Sequence, residues 1–147
     1  TIYQLLLPDC VSVFICDQPT QEAWACVSKG GFEGISVKYG QGIAGTVAAN
    51  GQTVRVANAY EDGRFYDAVD RKTGYQTKSV LCVGVPGFAS NSKPVAVVQL
   101  LNKVNGKSFT QDDEDSLEIL CKELSLSLRR KIEEMSFLRQ ATFGRNK

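Results

Sequence analysis

The hexapeptide Gly40-Gln41-Gly42-Ile43-Ala44-Gly45 has the spacing G-x-G-x-x-G. A glycine turn leading into a helix leaves first-turn amides without partners, and those of Ile43, Ala44 and Gly45 can hold a phosphate without any lysine. The same spacing also makes a tight strand-to-helix turn that holds nothing, and the sequence leaves both readings open. A dinucleotide site is disfavoured, because the helix that follows is only about two turns long and no strand–helix–strand unit surrounds it. Ser12 and Gln99 are the only polar residues in two otherwise apolar runs. Each either bonds to backbone or buried water or faces a polar ligand. Residues 65–77 mix Phe65, Tyr66 and Tyr75 with hydroxyls and carboxylates. That mixture suits a lid that excludes water and reads hydrogen bonds, and equally a surface loop anchored by its aromatics.

Several chemistries are excluded by composition. The chain has no histidine, so Ser-His and Cys-His catalysis, histidine bases and histidine-ligated metals are absent. Five cysteines stand at Cys10, Cys16, Cys26, Cys82 and Cys121, odd in number and without a CxxC pair. They read as reduced, small apolar core residues, which points to a reducing compartment such as the cytoplasm and gives no metal site. Seventeen Lys and Arg against sixteen Asp and Glu leave a net charge of +1, too little to hold a nucleic-acid backbone by its field. No apolar run approaches the ~20 residues of a membrane helix. A binding module is therefore favoured over an enzyme.

The elements that must position these residues follow from the hydrophobic pattern. With 147 residues the chain suits one domain. Residues 1–9 read as the end of an N-terminal helix cut at its front and closed by Pro8-Asp9, which suggests a piece of a longer protein. Residues 10–16 (CVSVFIC) are apolar on both faces and form a central strand. Further strands are expected at 22–28, 35–39, 53–56, 79–86 and 94–103, with a short helix at 43–50 capped by Gly51 and a mixed loop and helix at 62–72. Residues 110–140 form a long final helix. Leu117, Leu120, Cys121, Leu124, Leu128, Ile132, Met135 and Leu138 give its stripe, and Thr110 with Asp113 makes a capping-box-like start. Over residues 111–138 it would run about 42 Å, past the edge of a domain about 30 Å across. The projecting part then needs an apolar partner, most simply a second copy. Lys103 and Asp113 are placed to pin strand to helix, although Asp113 is not expected to serve both that bridge and the cap at full strength. The class is α+β.

With these residues in view, the chain resembles GAF domains, specifically those that precede the catalytic domain of cyclic-nucleotide phosphodiesterases. The resemblance spans about residues 10–131. It rests on GQGIAGTVAANG at 40–51, ANAYEDGRF at 57–65, VDRKTGYQTKSVLC at 69–82 and VVQLLNK at 97–103. The family's N-K, F, D-E signature falls on Asn102, Lys103, Phe109, Asp113 and Glu114.

The resemblance implies a central antiparallel sheet of about six strands, with the terminal helices on one face and a nucleotide pocket on the other. Ser12 would lie near the base, and the amides of Ile43 and Ala44 would face the cyclic phosphate. Tyr66 would cover that side, and Asp70, Thr73 and Thr77 would come from the lid. Gln99 would form the floor, where relatives often carry Glu. Asn102, Lys103, Phe109, Asp113 and Glu114 would be a structural brace outside the pocket. Relatives that prefer cGMP often place Phe-Asp where this chain has Ser28 and Lys29. Guanine offers donors that suit a carboxylate, whereas the N1 acceptor of adenine suits a hydroxyl or ammonium, so cAMP is favoured.

The expected function is a regulatory domain that binds cyclic nucleotide as an allosteric ligand, with no cofactor. It would relay occupancy through its last helix to an output domain, plausibly a phosphodiesterase. The alternative is a nucleotide-free GAF scaffold used for dimerisation. Some small relatives reduce free methionine sulfoxide with cysteines, a reading disfavoured here because the cysteines fall on core strands.

Overall fold

The computed structural model describes residues 2–29, 34–90 and 92–144, with the side chains of residues 3, 27–29, 132, 133 and 135–144 outside that description. A short helix α1 (Ile2–Leu6) precedes strands β1 (Pro8–Asp17), β2 (Glu22–Lys29) and β3 (Ser36–Lys38). Helix α2 (Gly42–Asn50) then crosses to β4 (Val54–Val56). A 3-10 turn (Ala59–Glu61) and helix α3 (Ala68–Thr73) lead to β5 (Val80–Val85) and β6 (Ala96–Lys103), and α4 (Gln111–Gly144) follows. The strands form one six-stranded sheet in the order β3-β2-β1-β6-β5-β4, with every neighbouring pair antiparallel. This is the α+β architecture expected.

β1 and β6 lie at the centre of the sheet, which is why their sequences are apolar on both faces. Alternate residues serve two separate cores. On one face Val11, Leu81, Val83, Val98 and Leu100 pack with Leu6 of α1 and with Leu117 and Cys121 of α4. On the other face Cys10, Phe14, Val80, Cys82, Val97 and Leu101 pack with Ile43, Ala44, Val47 and Ala48 of α2. Burying a side chain such as Leu117, fully enclosed here, contributes about 2 kcal/mol.

The mixed loop and helix expected over residues 62–72 is found, with α3 closed by Gly74 in the left-handed conformation. Two details depart from the sequence reading. Pro8 opens β1 rather than ending a helix, a position where its missing N–H costs no ladder bond. Asp113 serves both of its roles through one oxygen. Its Oδ2 accepts from the Thr110 N–H at 2.8 Å and from Lys103 Nζ at 2.5 Å, while Thr110 Oγ1 accepts from the Asp113 N–H at 3.1 Å.

The long helix divides into two parts. Leu117, Cys121, Leu124 and Leu128 face the sheet, so this half of the stripe is core. The Ser125 hydroxyl donates to the Pro86 carbonyl at 2.7 Å and holds that half down. The backbone continues as helix to Gly144, 34 residues in all, or about 51 Å. The side chains of Ile132, Met135 and Leu138, expected to continue the stripe, lie outside the described residues.

Candidate functional site

Ser12 and Gln99 are directly opposite one another across the β1–β6 ladder, and Cys82 is opposite Gln99 on β5. Both polar residues point to the α2 face of the sheet, where they line a hollow. Ser12 is 2% exposed. Among the described residues no protein group holds the Gln99 side-chain amide, so its carbonyl and NH2 remain available. The backbone of β2 sets Ser28 beside Ser12 and Lys29 beside Val11. The side chains of Ser28 and Lys29, expected to contact the base, lie outside the described residues.

The roof of the hollow is the start of α2. Gly42 stands at φ +70° and lets the chain turn sharply into the helix. Gly45 is required for a different reason: a Cβ there would come within 2.3 Å of the Lys38 carbonyl oxygen, so only glycine lets α2 lie this close to β3. The N-cap residue Gln41 makes no side-chain capping bond, and its Oε1 accepts from the Lys38 N–H instead. Among the described residues no side chain caps the first-turn N–H groups of α2. Gly42, Ile43 and Ala44 line the hollow, and the helix dipole adds partial positive charge at that end.

The front wall is the lid, residues 65–77. Phe65, Tyr66, Val69, Asp70 and Thr77 line the hollow from it. Tyr66 is 44% exposed and lies over Gly42, whose absent Cβ would meet the tyrosine Cβ at 3.3 Å. Asp70 is 7% exposed, and both of its oxygens are bonded. Its Oδ1 accepts from Thr77 Oγ1 at 2.8 Å, and its Oδ2 accepts from the Thr77 N–H and the Tyr60 hydroxyl, both at 2.8 Å. Asp70 and Thr77 thus latch the lid to the start of β5. Thr73 is not brought to the hollow: it is exposed, and its hydroxyl donates to the Val69 carbonyl at 2.7 Å within α3.

Tyr60 was not anticipated as a site residue. No periodicity marks it, and its role depends on a turn that brings it against α3. The Asp70 bond, with a smaller contribution from burial, raises its hydroxyl above the usual tyrosine range, and its ring meets Phe65 edge-on at 5.0 Å. Arg64 forks onto Asp62 below it, and that bond holds the Asp62 carboxyl down at about 2.

The hollow has a volume of about 70 Å3. That is room for roughly five waters, far short of a purine nucleotide. The lid must move outward before such a ligand enters.

Outside the hollow lies the brace. The Asn102 side chain accepts from the N–H groups of Lys78 and Ser79 at 2.6 and 3.2 Å and donates to the Gln76 carbonyl at 2.8 Å. Lys103 binds Asp113, and Phe109 is buried beneath α4. Glu114 accepts from Arg55 Nε at 3.2 Å, and Arg55 also donates to the Phe109 carbonyl. Arg55 is a further member of the brace that its lone place on an edge strand did not reveal.

All five cysteines are free thiols. Burial pushes Cys16 up to about 11, Cys121 up to about 12 and Cys82 well above its ordinary value. None of these three is a thiolate near neutral pH, so none suits nucleophilic or redox turnover.

The model of the GAF domain family matches residues 1–128. A dual 3',5'-cyclic-AMP and -GMP phosphodiesterase 11A of Takifugu rubripes is 43% identical over 86 residues, 58% of this chain and 9% of that protein. A probable 3',5'-cyclic phosphodiesterase, pde-5 of Caenorhabditis elegans, is 41% identical over 102 residues, 69% of this chain and 14% of that protein. The chain thus spans a small part of these relatives. Among solved structures, the GAF domain of a phosphoenolpyruvate-protein phosphotransferase from Coxiella burnetii superposes with a TM-score of 0.77 at 16% identity, covering 92% of this chain and 80% of that one. A free methionine-R-sulfoxide reductase from Neisseria meningitidis, solved with its substrate, gives 0.67 at 18% identity over 84% of this chain and 69% of that one. At such identities the likeness concerns the fold alone.

Proposed function

The chain belongs to the GAF domain family, and from that premise we propose that it is a regulatory domain that binds a purine cyclic nucleotide, cAMP in preference to cGMP. The observation that carries this is the hollow itself: uncapped helix amides at one end, a free amide on the floor and aromatics across the front. A cyclic phosphate suits the first turn of α2, where Ile43 and Ala44 supply N–H donors and the dipole favours an anion. A purine suits the floor. The neutral Gln99 amide can give and accept one bond each along an adenine edge. Guanine presents adjacent donors that call for a carboxylate, and Asp70, the one carboxylate lining the hollow among the described residues, already has both oxygens bonded within the protein. Burial holds Cys16, Cys82 and Cys121 protonated, which disfavours these three as redox thiols.

What supports a relay to α4 is the adjacency of Asn102 and Lys103. The first grips the lid's return at residues 76–79 and the second grips the start of α4. The output domain would be the phosphodiesterase that such sequences accompany in relatives.

Isothermal calorimetry with cAMP and cGMP tests the reading. The expected result is heat of binding with both, tighter for cAMP. No heat and no thermal shift at millimolar nucleotide would leave the second reading, a nucleotide-free scaffold that pairs through α4. The narrowness of the hollow favours that alternative, as do Ile119 and Leu126, which are seven residues apart and largely exposed. Sedimentation would then show a dimer indifferent to nucleotide.

A further inference from the structure

We propose that the nucleotide enters through a lysine-lined groove on the outer side of the Tyr60–Asp70–Thr77 latch, with Tyr60 as the positioning residue that keeps this entrance shut. The proposal rests on the nucleotide reading above. The groove lies where β6 leaves the sheet and is walled by Asp9, Tyr60, Thr77, Lys78, Lys103 and Lys107 among others. It is open to water over about 870 Å3, against about 70 Å3 in the hollow.

The two spaces share a wall. Thr77 lines both of them. Tyr60 lines the groove and donates its hydroxyl to Asp70, which lines the hollow. Hydrogen bonds hold this wall together, two from Thr77 and one from Tyr60. The Tyr60 bond is the one that reaches Asp70 from outside the α3–β5 segment. Tyr60 is also 56% exposed, so its ring can swing toward solvent at little packing cost. Releasing it leaves Asp70 held by Thr77 alone, so that α3 can swing about that remaining attachment and join the narrow hollow to the wide groove.

The charge of the groove suits an anionic ligand. Lys78 and Lys107 are exposed, and among the described residues neither forms an ion pair. Lys103 is committed to Asp113. The single carboxylate of the groove, Asp9, accepts the Tyr75 hydroxyl at 2.7 Å. Because the whole chain carries only +1, this positive field is local, and a local field steers a charged ligand chiefly through its association rate.

Stopped-flow kinetics with a fluorescent cAMP analogue separates the two roles. Tyr60→Phe keeps the ring and removes the latch bond. It should raise association and dissociation rates together, each about tenfold, the scale of one lost bond to a carboxylate. The double variant Lys78→Glu with Lys107→Glu should slow association about tenfold at low salt, flatten its salt dependence and leave dissociation within about twofold. Both substitutions are on exposed side chains, and circular dichroism would verify the fold. Wild-type binding with unchanged rates in both variants overturns the entrance while sparing the nucleotide reading. A change in only one variant overturns the role given to the other residue set. Absence of wild-type binding overturns both proposals.

Discussion

Replacing Lys103 with methionine isolates the brace. The Lys103 and Asp113 side chains are 16% and 10% exposed, and their contact is 2.5 Å. An exposed pair of this kind is worth at most about 1 kcal/mol, whereas orphaning one member of a buried pair costs about 3–5 kcal/mol. Here the orphaned carboxylate keeps the Thr110 N–H, so the loss should be about 2–3 kcal/mol. For a chain of this size that lowers Tm by roughly 5–10 °C. The pH dependence has a definite sign. Burial raises the Asp113 carboxyl, but the Lys103 and Thr110 bonds together outweigh it and leave it below its ordinary value. A carboxyl depressed in the folded state adds stability that is present above its unfolded pKa of about 4 and is lost as pH falls through the folded value. The gap between wild type and Lys103→Met should thus be widest near neutrality and narrow below about pH 3. Calorimetric melts of both proteins from pH 7 to pH 2.5 measure it, and a cycle with Asp113→Asn should return most of the loss as coupling. A variant that melts within about 2 °C of wild type at pH 7, or a gap that does not shrink in acid, would refute the reasoning.

Gly45→Ala should cost about 3 kcal/mol or more, because its Cβ would press into the Lys38 carbonyl oxygen at 2.3 Å and α2 must lift off β3; a melting curve like that of wild type would contradict the close packing. Gln99→Glu should turn the floor toward guanine, shifting the cAMP-to-cGMP affinity ratio about tenfold toward cGMP in competition binding, one good bidentate contact's worth; an unchanged ratio would remove Gln99 from base reading. Thiol alkylation at pH 8 should modify native Cys82 and Cys121 far more slowly than the unfolded chain, since burial holds both thiols protonated; rapid native labelling of Cys82 would contradict its enclosure.

Much of the architecture was legible because it depends on local rules. A strand apolar on both faces had to be central, and β1 is. Thr110 followed by Asp113 had to start a helix. The glycines of residues 40–45 had to make a turn, although the sequence could not say that Gly45 is fixed by the Lys38 carbonyl rather than by a ligand. The choice left open for Ser12 and Gln99 needed the register of two strands remote in sequence, and the ladder settles their placement by setting them opposite each other on the α2 face. The latch could not be read at all. Asp70, Thr77 and Tyr60 come from α3, the approach to β5 and a 3-10 turn, and no spacing rule connects them. Their types were consistent with ligand contacts, but the observed bonds run among themselves. The stripe on α4 was read correctly as apolar, yet periodicity cannot distinguish a face that meets a sheet from one that meets a second helix.

That distinction bears on how occupancy could be felt at α4. A ligand shifts a conformational equilibrium only by its differential affinity for the two states. If the proposed nucleotide binds, the narrow hollow supplies such a difference, because the lid would have to be displaced to admit it. The lid's return, residues 76–79, is held by the side chain of Asn102, and the next residue holds the first turn of α4. Asn102 itself adopts a left-handed backbone at φ +54°, which turns β6 at the point where both grips meet. Displacing the lid therefore loads a backbone position whose neighbour is fixed to the helix. The docked half of α4 is held by Leu117, Cys121 and Ser125, so under the proposed relay the movement would reach the helix at its first turn and be carried along a rod about 51 Å long. On that proposal the brace residues would act without touching the ligand, as a joint whose stiffness is set by one lysine, one aspartate and one asparagine.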